Sequence, residues 1–276
     1  MNRVSVLTLT RDRTSHLYNL LRGLARASQL PDECIIVHMN EPAQPLGIWP
    51  FPCRQYSYQD DDTLLPLAKA RNYAAQQATG DILIFLDVDC IPSRKLVAAY
   101  ETACRQARHA IMMSSVQYLS KKIKADWTES LLIAQSKPNP KRNISAVAEL
   151  IIEPSYGLFW SLSFALHRAL FEQLGGFSEC YLGYGAEDTD FAWKAKQAGI
   201  LLMWVPAAMA FHQYHPSCVP PWKNFESIVR NARIFHERWG QWPMAGWLEI
   251  FAEQGYINWT DQGNKLEIVQ LPKIAT

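Results

Sequence analysis

Three short clusters carry most of the reactive side chains in this sequence. The first is Asp87-Val88-Asp89, which directly follows the wholly apolar run 82–86 (ILIFL). Two carboxylates two residues apart can diverge where the strand ends and the backbone turns, so that one faces a metal and the other a ligand hydroxyl. Oxygen donors of this kind suit Mg²⁺ or Mn²⁺ and, through the ion, phosphate oxygens. The ordinary alternative is a solvated turn or helix cap. The apolar run before the pair argues against it, because a carboxylate pair placed there serves no packing purpose.

The second cluster is Gly183-Tyr184-Gly185-Ala186-Glu187-Asp188-Thr189-Asp190. Its glycines allow a tight turn, and its three acids open a helix. An N-cap and the helix dipole account for one acid but poorly for three. One carboxylate is therefore a candidate general base, and repulsion between neighbours raises its pKa. The third cluster is His212-Gln213-Tyr214-His215, just beyond another apolar run. Neutral imidazole binds transition metals and would favour Mn²⁺ beside Asp89. Arg71-Asn72 precede the Asp-Val-Asp strand, and Arg11-Asp12 follow the first strand. Arg71 can grip a diphosphate bidentately or pair with Asp60, Asp61 or Asp62, and local sequence does not separate the two. Neither GxGxxG nor a Walker loop occurs, since Asp188 stands where a third glycine would be.

The elements that must position these clusters alternate. Residues 4–10 (VSVLTLT) form a strand. Leu17, Leu20, Leu21 and Leu24 mark a helix with Thr14 as its cap. Strands follow at 35–39 and 53–58, with a proline-rich loop between them. Pro66 opens a helix that stops at Gly80. Strand 82–86 leads to a helix starting at Pro92-Ser93, then strand 110–118. This βαβαβ order predicts a doubly wound α/β sheet, with ligands beyond the carboxyl ends of its strands. Residues 119–154 read as an insertion over one face, its basic clusters (Lys121, Lys122, Lys124; Lys137, Lys141, Arg142) as solvated surface. The run 157–166 (GLFWSLSFAL) resumes as a strand, followed by a helix near Leu170, a helix over 188–198 and a buried strand over 200–205. Trp222, Phe225, Val229, Ala232 and Phe235 form one stripe of a later helix. Five tryptophans lie beyond residue 220; the plain account is packing of the last helices, the sharper one a sugar- or lipid-facing surface.

Composition narrows the class. The chain has 276 residues, with 27 basic and 26 acidic, giving a net charge of +1. No basic field marks a nucleic-acid binder, and 49% apolar residues exclude a disordered chain. The longest apolar run, 200–211, is twelve residues and contains Pro206; a membrane span needs about 20. The N-terminus reads as a strand rather than a signal peptide. Six scattered cysteines without CxxC point to reduced thiols, hence a cytoplasmic protein, with peripheral contact to the inner membrane face left open.

The run 67–92 (LAKARNYAAQQATGDILIFLDVDCIP) resembles inverting, family-2-like nucleotide-sugar glycosyltransferases of the GT-A fold. The run 159–199 resembles the galactosyltransferase and N-acetylgalactosaminyltransferase type of that superfamily. The resemblance covers about residues 1–215. It implies a UDP-sugar donor (Gal, GalNAc or GlcNAc type), a divalent cation, usually Mn²⁺, and a glycan, polysaccharide or lipid-linked acceptor. It places the metal on Asp89 with His212 or His215, the base on Asp188 beside Glu187, and the nucleotide sugar on Thr10, Arg11, Glu41, Arg71, Asp87 and Ser163. The chain departs from many relatives at Asn40-Glu41, where they carry aspartate near the uridine, and at Tyr184, where they carry tryptophan near the acceptor. The domain expectation is 1–215 as the transferase domain and 216–276 as a helical extension packed on it. Two other readings compete: a phosphohydrolase with Asp87 as nucleophile, as in haloacid dehalogenases, and a sugar- or nucleotide-binding module without turnover.

Overall fold

The apolar runs become the strands of one twisted sheet, in a computed structural model that describes residues 2–60, 64–142, 144, 149–216 and 218–273. The first half runs β1 (Val4–Thr10), α1 (Thr14–Ala25), β2 (Glu33–Met39), β3 (Cys53–Tyr58), α2 (Leu67–Gln77), β4 (Ile82–Leu86), β5 (Cys90–Pro92), α3 (Leu96–Gln106) and β6 (Ala110–Leu119). Next come α4 (Glu129–Gln135), β7 (Ser136–Pro138), β8 (Ile151–Glu153), β9 (Ser163–His167), α5 (Arg168–Gln173), α6 (Glu187–Gln197) and β10 (Leu201–His212). The chain continues through α7 (Phe225–Trp239), α8 (Ala245–Glu253), β11 (Ile257–Trp259) and β12 (Leu266–Ile268).

The main path of the sheet is β3-β2-β1-β4-β9-β6-β10-β5. Strands β1, β2, β3, β4, β6 and β10 point one way, and β9 runs antiparallel between β4 and β6. Alternation along the strands builds two cores, as expected of a sheet covered on both faces. Val4, Val6 and Ile84 pack with α1 and α3, whereas Leu7, Leu9 and Phe85 pack with α2, α5 and α6. Rings of the second core stack beneath the site: Phe85 on Phe164 at 4.6 Å and Phe177 on Phe191 at 4.5 Å. Such pairs add about 0.5–1.5 kcal/mol each beyond burial. They tie the end of β4 to α6, which carry the two acidic clusters.

Several boundaries differ from the sequence reading. Thr14 is not the cap: Arg13 holds that position, and the Thr14 hydroxyl donates to Gln44 at 2.7 Å. Strand β2 starts two residues early, because the buried Glu33 carboxylate accepts from Ser5 and Thr79. Pro92 does not open a helix. It ends the edge strand β5 opposite Ala210, where a missing N–H is tolerated, and α3 begins at Leu96. Residues 157–162 turn rather than extend, so only Ser163–His167 pairs with β4. Strand β10 continues past Pro206 through a register shift between Val205 and Met209, and His212 is its last residue. Within 119–154, Lys121, Lys122, Lys124, Lys137 and Lys141 are exposed as expected, but Arg142 is buried. The plain account of the late tryptophans holds for Trp222, Trp242, Trp247 and Trp259, which pack around Phe225, Leu248 and Phe251. Among the described residues no helix is long and apolar enough to cross a membrane.

Candidate active site

The Asp-Val-Asp turn sits at the carboxyl end of β4. Asp87 anchors it, donating its N–H to Leu162 O and accepting from Cys90 N–H. Burial pushes the Asp87 carboxyl up to about 6; Arg71 opposes this, and Asp89 and Glu187 reinforce it. Asp87, Arg71 and Ser161 line one small cleft.

Gln213, which sequence reasoning passed over, brings the histidines to Asp89. Its N–H donates to Asp89 O, its side chain donates to His16 O at 3.0 Å and Val88 O at 3.2 Å, and it accepts from Asn19. The end of β10 is thereby stapled to the Asp-Val-Asp turn. One ligand atom each from Asp89, His212 and His215 lies within 4.8 Å of the others. His215 Nε2 is 3.5 Å from Asp89 Oδ2, and His16 Nε2 is 3.7 Å from Asp89 Oδ1. This donor set fits a divalent transition metal. Asp89 Oδ1 is a buried oxygen with no hydrogen-bond partner, and burial lowers the His212 pKa to about 4, so its ring is neutral and free to coordinate. His16 and Arg13, both near Asp89, were also missed; their position just after β1 was the available signal.

The second acidic cluster opens α6. Ala186 is its N-cap at φ +70°, after Gly183 at +73° and Gly185 at +99°. A Cβ on Gly183 would meet Ser227 at 2.7 Å, so the turn and α7 need a glycine there. Asn231 of α7 donates to Leu182 O and Gly185 O, and Tyr184 stacks on Trp247 at 5.8 Å. The three acids have separate duties. Asp190 is structural, accepting from Ser178, Tyr181 and Trp239. Glu187 is buried in an ion pair with Arg71 at 3.1 Å. Asp188 accepts the Thr189 N–H, and burial, reinforced by the Glu187 charge, pushes its carboxyl up to about 7. That value suits a base working near neutrality.

The remaining expected residues are placed as follows. Thr10 is buried at the end of β1, and Arg11 beyond it is partly exposed. Glu41 accepts from Asp12 N–H and contacts His38 at 3.1 Å. Arg71 commits one arm to Glu187, while Asp60 pairs with Lys69; Asp61 and Asp62 lie outside the described residues. Ser163 does not join the site: it is fully buried on β9 and hydrogen-bonds Tyr100. The turn over 157–162 presents Ser161 instead.

The family model described as glycosyltransferase-like family 2 matches residues 52–233. The chain belongs to this family. The phosphohydrolase reading falls with that assignment. Solved structures share the glycosyltransferase domain's GT-A architecture. GalNAc-T7 with UDP, GalNAc and Mn²⁺ superposes with a TM-score of 0.61 at 18% identity, covering 86% of this chain and 50% of that one. S. aureus TarS 1-349 gives 0.57 at 17% identity, covering 91% and 70%. The mannosyltransferase PcManGT from Pyrobaculum calidifontis, with GDP-Man and Mn²⁺, gives 0.55 at 17% identity, covering 92% and 76%. The chain thus spans half the length of GalNAc-T7. No curated protein sequence matches it.

Proposed function

We propose that this glycosyltransferase domain moves a sugar from a UDP-sugar to an acceptor hydroxyl with inversion, using a divalent cation, Mn²⁺ by preference. The observation that carries the reading is the convergence of Asp89, His212 and His215 within 4.8 Å, at the strand end that also bears Asp87. Asp89, His212 and His215 would hold the cation, which would supply charge neutralisation for the departing diphosphate. Asp188, in the first turn of α6, takes the proton from the acceptor hydroxyl as that oxygen attacks. Glu187, fixed by Arg71, keeps Asp188 basic through its negative charge. Asp87 and the β1 end (Thr10, Arg11), with Glu41, face the donor. Tyr184 and Trp247 offer an aromatic wall for an acceptor glycan.

In this reading residues 1–215 hold donor and metal, with 119–154 inserted, and 216–276 support the acceptor side. The acceptor class extends to polysaccharide or lipid-linked glycans, with peripheral membrane contact in the lipid case. Six free cysteines fit a reducing, cytoplasmic setting. A thermal-shift screen of UDP, GDP and their sugars with and without Mn²⁺ tests the reading. A metal-dependent rise in Tm with a UDP ligand supports it. No rise with any uridine nucleotide, or a rise with GDP alone, overturns the UDP assignment.

A further inference from the structure

Arg142 is buried, with 4% of its surface exposed. Its guanidinium lies between two indoles, 4.9 Å from the Trp160 ring centroid and 4.8 Å from that of Trp204. The second indole is itself fixed, because Trp204 Nε1 donates to Glu153 at 2.9 Å. Among the described residues, none of the three side-chain nitrogens of Arg142 has a hydrogen-bond partner. Its backbone N–H is satisfied by Asn139 O, so the segment is anchored while the charged head is unspent.

Cation–π contacts stabilise the charge, but they leave five N–H donors unmet. Burying an unpaired charge costs several kcal/mol. A structural arginine would have a carboxylate or carbonyl in reach; among the described residues none lies within hydrogen-bond distance of this one. Its neighbourhood is the reaction site. Trp160 precedes Ser161, which lines the Asp87 cleft. Burial weakens the guanidinium charge; the Tyr118 and Tyr100 phenols, the Cys90 thiol and, least, Asp188 oppose this, and Tyr118 stacks on His212 at 5.0 Å. Arg142 thus packs on the indole next to Ser161 of the Asp87 cleft, while Arg71 in that cleft has one arm committed to Glu187.

We infer that Arg142 is an anion-binding residue whose fork closes on a phosphate or carboxylate group of a substrate beside Asp188. The inference rests on the transferase reading of that cleft. The anion has two sources: the diphosphate of the nucleotide donor, or an acidic group on the acceptor such as a uronate or phosphodiester. Both present paired oxygens to a planar guanidinium, which Lys cannot match.

The test compares wild type with Arg142→Met and Arg142→Lys by calorimetric titration. The probes are UDP with Mn²⁺, uridine with Mn²⁺, and, on the UDP–Mn²⁺ complex, methyl glucuronide and glycerol phosphate. Both variants are expected to weaken one anionic probe tenfold or more and to leave uridine unchanged. Loss confined to UDP identifies the donor diphosphate; loss confined to the acidic sugar or phosphate probe identifies the acceptor. Without ligand, Arg142→Met should keep or raise Tm, because it removes an unpaired buried charge. A fall in Tm with every affinity unchanged, or no loss for any probe, overturns the inference. Should the Met variant fail to fold, Arg142→Lys decides, since it keeps the charge and loses the fork. Wild type that binds no UDP defeats the transferase reading itself; wild-type binding with unaltered variants defeats only the role of Arg142.

Discussion

Asp188→Asn should make the protein more stable at pH 8 while leaving its stability nearly unchanged at pH 3–4. In the folded chain the Asp188 carboxyl is pushed up to about 7, first by burial and then by Glu187, against an ordinary value of 3.8. The folded state thus keeps a proton that the unfolded chain has already lost. A raised folded pKa gives stability that is complete below the unfolded value and drains away as pH rises toward the folded one. Each pH unit inside that window costs about 1.4 kcal/mol, so between pH 5 and pH 8 wild type loses at most about 2–3 kcal/mol through this group. Asn has the same shape, still accepts the Thr189 N–H and does not titrate. Its advantage over wild type should therefore grow by that amount across the interval. Asp87, pushed up to about 6, drains stability in both proteins and largely cancels. The assay is urea unfolding of both proteins at pH 5, 6.5 and 8 in the presence of chelator. An Asn variant whose advantage stays flat with pH, or reverses at pH 8, refutes the claim that Asp188 is a partly buried, proton-holding carboxyl.

Arg71→Met breaks an ion pair whose partners are 5% and 6% exposed and leaves the Glu187 charge alone in the core. It should cost about 3–5 kcal/mol at pH 8, read as a lower urea midpoint. His212→Ala should abolish the rise in Tm that Mn²⁺ produces in wild type, and chelator should remove that rise from wild type; an undiminished Mn²⁺ response in the variant excludes His212 as a ligand.

Much of the site was legible because chemistry and pattern coincide at strand ends. The run 82–86 is apolar at every position, so its bounds and the carboxylates after it could be read directly. His212 was legible for the same reason, although β10 runs further than Pro206 suggested; a register shift absorbs the proline. What stayed hidden depends on contacts across the chain. Gln213 reaches His16 and Asn19 almost 200 residues away, and no local spacing signals that bond. Arg142 looked like surface because it sits in a lysine-rich, proline-rich stretch, yet two distant indoles cover it. Ser163 and Ser161 lie on the same short run, and only the turn over 157–162 decides which one faces the cleft. The antiparallel insertion of β9 between β4 and β6 was likewise invisible, since strand order follows from long-range pairing.

The central claim is that Asp188 is the base of a metal-assisted sugar transfer. It is tested most directly by assaying Asp188→Asn alongside wild type for transfer from the UDP-sugar found to bind, with UDP–Mn²⁺ affinity measured on the same samples. The account predicts that transfer falls by at least about 10²-fold while UDP–Mn²⁺ affinity stays within about twofold. Near-normal turnover in the variant would contradict it.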